Sequence, residues 1–143
     1  MAAIDYNAVF DAVSLKLREL YPTSAIYDSP VEQNLDNGDI VILPITPDDK
    51  EEMSKRHRQS LTVDITVFFN ADESVAVCLT AAHKLLSELK LVETTGGDRL
   101  HGKVIDSNVE DNIVHIVMKY CYAAFYDTDR EVMTQIESEV NYG

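Results

Sequence analysis

The 143-residue chain sets 12 lysines and arginines against 25 aspartates and glutamates, a formal charge of −13 that opposes tight wrapping of a phosphate backbone. Hydrophobic residues make up 45% and charged ones 26%, which excludes a disordered tail or a fibre, and the length suits one domain with a real core. No apolar run reaches the length of a bilayer span and Met1-Ala2-Ala3-Ile4-Asp5 lacks a signal pattern, so the chain is expected to stay in the cytosol, without a membrane partner.

In chain order, Tyr6, Val9, Phe10, Val13, Leu17, Leu20 and Tyr21 recur at three- and four-residue steps and predict a helix from Asp5 to Tyr21, ended by Pro22. Strand-like pieces follow at Ala25 to Ser29 and, after the Asn37-Gly38 turn signal, at Asp39 to Thr46. Pro47 to Gln59 is mostly charged, with Met53 its one apolar residue, and reads as a long exposed loop or an extended hairpin. Leu61, Val63, Ile65, Val67 and Phe69 then alternate with Thr62, Asp64, Thr66 and Phe68, the clearest strand signal in the chain.

Asn70 with Glu73 three residues on resembles a capping box and announces a second helix, with Val75, Leu79, Ala82, Leu86 and Leu89 as its buried stripe, flanked by Cys78 and Leu85. Thr94-Thr95-Gly96-Gly97 breaks the pattern. Arg99 to Ile105 and Asn112 to Tyr126 are expected to pair antiparallel through Asp106-Ser107-Asn108 and Glu110-Asp111. The second strand is apolar on both faces, with Ile113, Val117 and Cys121 on one side, so it requires cover on both. Cys78 and Cys121 read as reduced core residues.

The expected fold is therefore α+β, a mainly antiparallel sheet packed against two helices in the order helix, strands, helix, strands, with a C-terminal appendage. Residues 1–126 would form the domain and residues 127–143 an acidic extension, in which Val132, Ile136 and Val140 could make a short amphipathic helix that docks on something else.

No reaction centre is legible. Gly96-Gly97 with Gly102 matches neither a phosphate loop nor a dinucleotide fingerprint. Cys78 and His83, five residues apart on one helix, point about 140° away from each other. His57, His83, His101 and His115 lack metal-ligand spacing, and the acids near them read as solvated surface charge. No catalytic residue, cofactor or metal is expected.

The one unusual segment lies between Asp48 and Arg58, where the acids Asp48, Asp49, Glu51 and Glu52 come first and the bases Lys55, Arg56 and Arg58 come second. Its arms could pair with each other as a solvated hairpin. Segregated charge also suits a head-to-tail subunit contact, and those seven residues are the candidate interface. A nucleic-acid patch fits less well, because no aromatic residues interleave with the bases.

Leu20-Tyr21-Pro22, Ala25-Ile26-Tyr27, Val31-Glu32-Gln33, the strand DIVILPIT, the charged loop and the strand SLTVDITVFF together resemble small tail terminator proteins of phages and phage-like particles, over residues 4–126. The resemblance implies a homohexameric ring on the last ring of tail-tube subunits at the head-proximal end of the tail. Such a ring stops tube growth and offers a docking surface to a head or neck connector, or closes a headless bacteriocin-like tail as a collar. Tube protein, and candidate sheath and neck proteins, would be its partners, with DNA only as passing cargo in an acidic lumen. Contractile and non-contractile tails both remain open. So do other neck or tube-related roles and, from another class, a small dimeric ligand-binding domain or enzyme, which would need a polar pocket with convergent groups.

Overall fold

The computed structural model describes residues 4–29, 36–52 and 56–125. These form α1 (Tyr6–Leu20), β1 (Ile26–Tyr27), β2 (Asp39–Glu51), β3 (Arg56–Phe68), α2 (Val75–Glu88), β4 (Leu91–Glu93), β5 (Arg99–Glu110) and β6 (Ile113–Phe125). Val31-Glu32-Gln33, Lys55 and the extension at 127–143 lie outside the described residues. No described helix is long and apolar enough to cross a membrane.

The strands make one sheet in the order β1-β2-β3-β6-β5-β4, antiparallel except where β1 joins β2 in parallel. The α+β expectation stands. Val63, Ile65 and Val67 of β3 face the same side as Val114, Ile116 and Met118 of β6, and these pack with Val9, Val13 and Leu17 of α1 and Cys78 and Leu85 of α2 in a single core. Both helices therefore cover one face of the sheet, and no described helix covers the other.

Asp5 caps α1, its carboxylate accepting from the Ala8 amide at 2.8 Å. The second helix is capped by Ser74 rather than Asn70. The expected capping pair is used elsewhere, fastening three turns at one end of the sheet. Asn37 Nδ2 donates to Glu73 Oε2 (2.9 Å), the Asn70 amide donates to Asn37 Oδ1 (2.8 Å), and Asn112 Nδ2 donates to the Asn70 and Glu73 carbonyls (2.7 and 3.1 Å).

The buried stripe of α2 is also rotated from the expected one. Cys78, Ala81, Leu85 and Leu89 are buried, while Val75 and Leu79 are 63% and 55% exposed. Apolar residues occupy a wider arc of this helix than the sheet can cover, and periodicity does not select which edge of the arc is used.

The charged segment takes the extended-hairpin form, as β2 runs on to Glu51 and β3 starts at Arg56. Pro44 and Pro47 do not stop β2, because beyond the two-residue β1 it is an edge strand and an edge tolerates missing amide donors. At the opposite edge, β4 was not anticipated from the sequence, its three residues being too short for a periodicity signal. The β5–β6 connection is tighter than expected. Both strands continue to Asp111 and Asn112, which take φ of 54° and 61°, as a two-residue hairpin turn requires. Cys121 is exposed on the uncovered face, not a core residue, while Cys78 is buried as expected. Nor does β6 have cover on both faces from the described residues: Ile113 and Val117 remain half-buried.

Gly102 lies opposite Tyr120, whose ring covers it. A Cβ there would sit 2.5 Å from Tyr120 Cε1 and 3.0 Å from the Leu89 carbonyl oxygen. Gly102→Ala is expected to lose about 1–3 kcal/mol, the usual range for overpacking, read from the urea midpoint. The Tyr120 hydroxyl is buried and donates to that same Leu89 carbonyl at 2.7 Å. Burial pushes its pKa well above the ordinary value of 10.0. An unfolded tyrosine releases its proton near that value while the folded one keeps it, so the folded state binds more protons there and stability falls as pH rises. Between about pH 9 and about pH 11, urea midpoints should therefore fall more steeply in the wild type than in Tyr120→Phe.

Candidate interaction surfaces

The ends of β2, β3 and β6 pair as a three-stranded arm of the sheet, with Lys50, Arg58 and Ala123 abreast and Tyr122 and Ala124 buried. The arm is tied back to α1: Tyr6 donates its hydroxyl to the Asp48 carbonyl at 2.8 Å and its ring meets that of Tyr122 edge-on at 6.4 Å.

The arm brings part of the predicted charge set together. The Glu52 carboxylate accepts from Arg58 Nε at 3.0 Å and is ion-paired with Arg56, whose Nε lies 3.1 Å away. The Arg58 hydrogen bond outweighs an opposing effect of desolvation and, with the charges of Arg58, Arg56 and Lys50, lowers the pKa of the Glu52 carboxyl from its ordinary value. Asp49 instead faces His57 Nδ1 at 3.1 Å and accepts from Gln59 Nε2 at 3.1 Å, two partners that charge patterning alone did not single out. The arms of the hairpin thus pair with each other. Asp48 and Glu51 are exposed and form no side-chain ion pair among the described residues, and Lys55 lies outside them.

The uncovered sheet face is the second surface. At its centre His115 Nε2 meets Asp64 Oδ1 across β3 and β6, with the Thr66 hydroxyl donating to the same oxygen at 3.4 Å. This pair joins residues 51 positions apart, so no local spacing announces it; the signal was only that Asp64 falls on the polar parity of its strand. The Thr66 hydroxyl bonds the carboxylate and not the imidazole, so the order of contacts is not that of a nucleophile activated by a base. His83 is exposed while Cys78 on the same helix is buried.

A groove of about 670 Å³ between α1 and β4, lined by Leu15, Arg18, Leu91, Thr94 and Arg99 among others, contains no histidine or cysteine. Among the described residues no cluster of His, Cys, Asp and Glu could hold a metal ion. Exposed apolar side chains lie elsewhere: Val75 and Leu79 adjoin one turn apart on α2, Val77 sits on the opposite flank of that helix beside Tyr21 and Phe69, and Ile45 bulges from the edge of β2.

A family model described as phage tail terminator protein matches residues 8–133. No curated protein matches the chain. Solved structures that match include one with 10% identity and a TM-score of 0.43, spanning 88% of this chain and 99% of its own.

The ion pairs of Glu52 are solvent-exposed and worth little to the fold. Glu52→Gln should leave the thermal midpoint within the scatter of replicate melts, whereas a clear drop would mean that the arm's pairing holds the domain together.

Proposed function

The chain belongs to the phage tail terminator family, and on that premise we propose that it forms the ring that closes the tail tube at its head-proximal end. Membership makes it a structural protein of a phage tail that acts with other tail proteins. The finer reading, a homohexamer that stops tube growth and receives the neck or a collar, rests on the family match over residues 8–133 as its carrying observation.

The physical case is one of surfaces. A closed ring needs two unlike patches on each copy, so that one meets the other around a rotation axis. The arm supplies a polar, charged patch, and the exposed Val75 and Leu79, one turn apart on α2, supply an apolar one. Asp48 and Glu51 are available on the arm for a neighbour's cations, while Glu52, Arg56 and Arg58 would have to share their present pairing. The proposed contact set is thus Asp48, Asp49, Glu51, Glu52, Lys55, Arg56 and Arg58. Tube protein is the proposed partner below the ring, with a sheath or neck protein beside or above it and DNA only in transit.

Mixing the purified chain with tail-tube protein and imaging by electron microscopy tests the reading. Rings should sit at one end of each tube, and a label on this chain should mark that end only. Label along the whole tube would make it a tube component, and tubes of unlimited length without end rings would sink the terminator role. Reversing Lys55, Arg56 and Arg58 to Glu should leave circular dichroism unchanged and cut ring yield by about tenfold, since a ring repeats each junction. Unchanged yield would remove the arm from the interface.

A further inference from the structure

The second helix carries an apolar stripe that the fold leaves unused. Val75, Leu79, Ala82 and Leu86 follow one another at steps of four, three and four residues, the spacing of a helix-packing seam. Yet Val75 and Leu79 are exposed, and Ala82 and Leu86 only half-buried. The opposite flank of α2 is the one that α1 occupies. There Val77 and Lys84 lie beside Tyr21 and Phe69, Lys84 Nζ donates to the Leu20 carbonyl at 3.1 Å, and Glu88 pairs with Lys16 at 3.6 Å. Phe69 follows β3 directly, and α2 lies over β6 and β5, so the stripe turns the other way, toward the outer edge of β5.

That edge is open. Strand β4 covers it only at Arg99, Leu100 and His101, so from Lys103 to Glu110 no strand lies beside β5 among the described residues. The Gly102 amide donates to the Lys90 carbonyl at 2.8 Å and the Ser107 amide to Asp106 Oδ1 at 2.9 Å, so both point away from β6. Strand alternation puts the amides of Val104 and Val109 on the same side. No proline interrupts this stretch, whereas the open edge of β2 contains Pro44 and Pro47, which lack an amide donor. Of the two edges, β5 is the one able to accept another strand.

We propose that a second copy of this chain supplies it, in a two-fold dimer that joins β5 to β5 in one continuous sheet and packs α2 against α2. The edge is complementary to itself. Antiparallel pairing about Ser107, with Ile105 skipped as it is against β6, sets Val104 opposite Val109 of the second copy, Lys103 opposite its Glu110 and Asp106 opposite its Asn108. Apolar then meets apolar on the helix side of the sheet, while cation meets anion and carboxylate meets amide on the other. Lys103, which faces Lys119 within its own sheet, gains an acid on its open side. The bulge deters an arbitrary straight strand, but the two-fold axis repeats it, one at each end of the pairing. The same axis brings the helices together: with strands about 4.8 Å apart, two helices each lying over a β5–β6 pair stand about 10 Å from one another, a packing distance. Val75 then faces Leu86 of the second copy, and Leu79 faces its Ala82. The dimer goes beyond the ring reading and does not depend on it. Both contacts would draw on Val75 and Leu79, so the dimer is the form of the chain away from the tube.

Sedimentation equilibrium of the full-length chain without tube protein reads the dimer directly, and a concentration series should fit a monomer–dimer equilibrium. Leu79→Lys and, separately, Ser107→Pro should each weaken the dimer about tenfold or more with circular dichroism unchanged, because Leu79 is exposed and the Ser107 amide makes no bond to β6. Lys103→Glu alone and Glu110→Lys alone put like charges opposite each other at both ends of the pairing, and each should weaken self-association about tenfold. An equimolar mixture of these two variants should recover the wild-type affinity, since every copy then meets the opposite charge. A wild type that stays monomeric through the series would overturn the proposal. So would a dimer unaffected by Leu79→Lys and Ser107→Pro, or charge variants that do not complement each other in the mixture. Failure to form rings on tube protein would leave all of these readouts as they stand and count against the terminator reading alone.

Discussion

The register between β3 and β6 is the constraint on which the rest of the molecule depends. Their pairing runs without a break from Arg56 opposite Phe125 to Phe68 opposite Ile113. Side chains alternate between faces, so a slip of one residue would move Val63, Ile65 and Val67 out of the core and Thr62, Asp64 and Thr66 into it. The same register places His115 on Asp64, sets Lys119 between Thr62 and Lys103, and continues into the arm as far as Arg56 and Phe125. Both outer neighbours, β2 and β5, absorb irregularity that the central pair does not, with bulges at Ile45 and Ile105. Bulges on strands with a free edge discourage further pairing, so disorder of register is confined to where it protects the sheet.

How much of this could be read from the residues depended on whether the deciding contact was local. The first helix was legible because Val9, Val13 and Leu17 define a narrow stripe bounded by Asp5 and Pro22. Strand β3 was legible because parity alone sorts its residues. The rotation of α2 was not, since apolar residues from Val75 to Leu86 span more of its circumference than the sheet covers, and only packing decides that Cys78 goes in and Leu79 out. The reach of β2 past Pro47 was hidden for a related reason. Proline and charge argue against a strand in general but not at an edge, and edge position is a property of the whole sheet. Of the surface set, the opposition of Glu52 to Arg58 followed from the order of charges along the hairpin, while Asp49 with His57 and Gln59 required the register.

Net charge illustrates the same division between what composition fixes and what geometry decides. A value of −13 describes the field felt at a distance and sets the sign of long-range forces on a polyanion. It does not describe any one face. Because β-strands separate odd from even positions, a chain can be strongly acidic and still expose a sheet surface on which six cations meet about as many acids, as here from Lys50 to Lys119. A uniformly acidic surface, the simplest inference from composition, does not hold for this face, where Glu93 stands opposite Arg99 and Asp48 shares the parity of Lys50.

A protein whose work is assembly has reason to keep such unspent surface. An enzyme concentrates its destabilising features in a pocket, where strain and shifted ionisation serve a reaction. Here most of the features that cost stability lie on the outside: Lys103 opposite Lys119, Val75 and Leu79 in water, and a sheet face that no described helix covers. Each is a contact held open, and each is relieved by bringing up another piece of protein, either from the same chain or from a neighbour. Inside, the buried Tyr120 hydroxyl finds the Leu89 carbonyl, while the buried Tyr21 hydroxyl has no hydrogen-bond partner among the described residues. Most of what is unsatisfied lies on the surface, and in a tail protein that imbalance favours completion by contact over completion by chemistry.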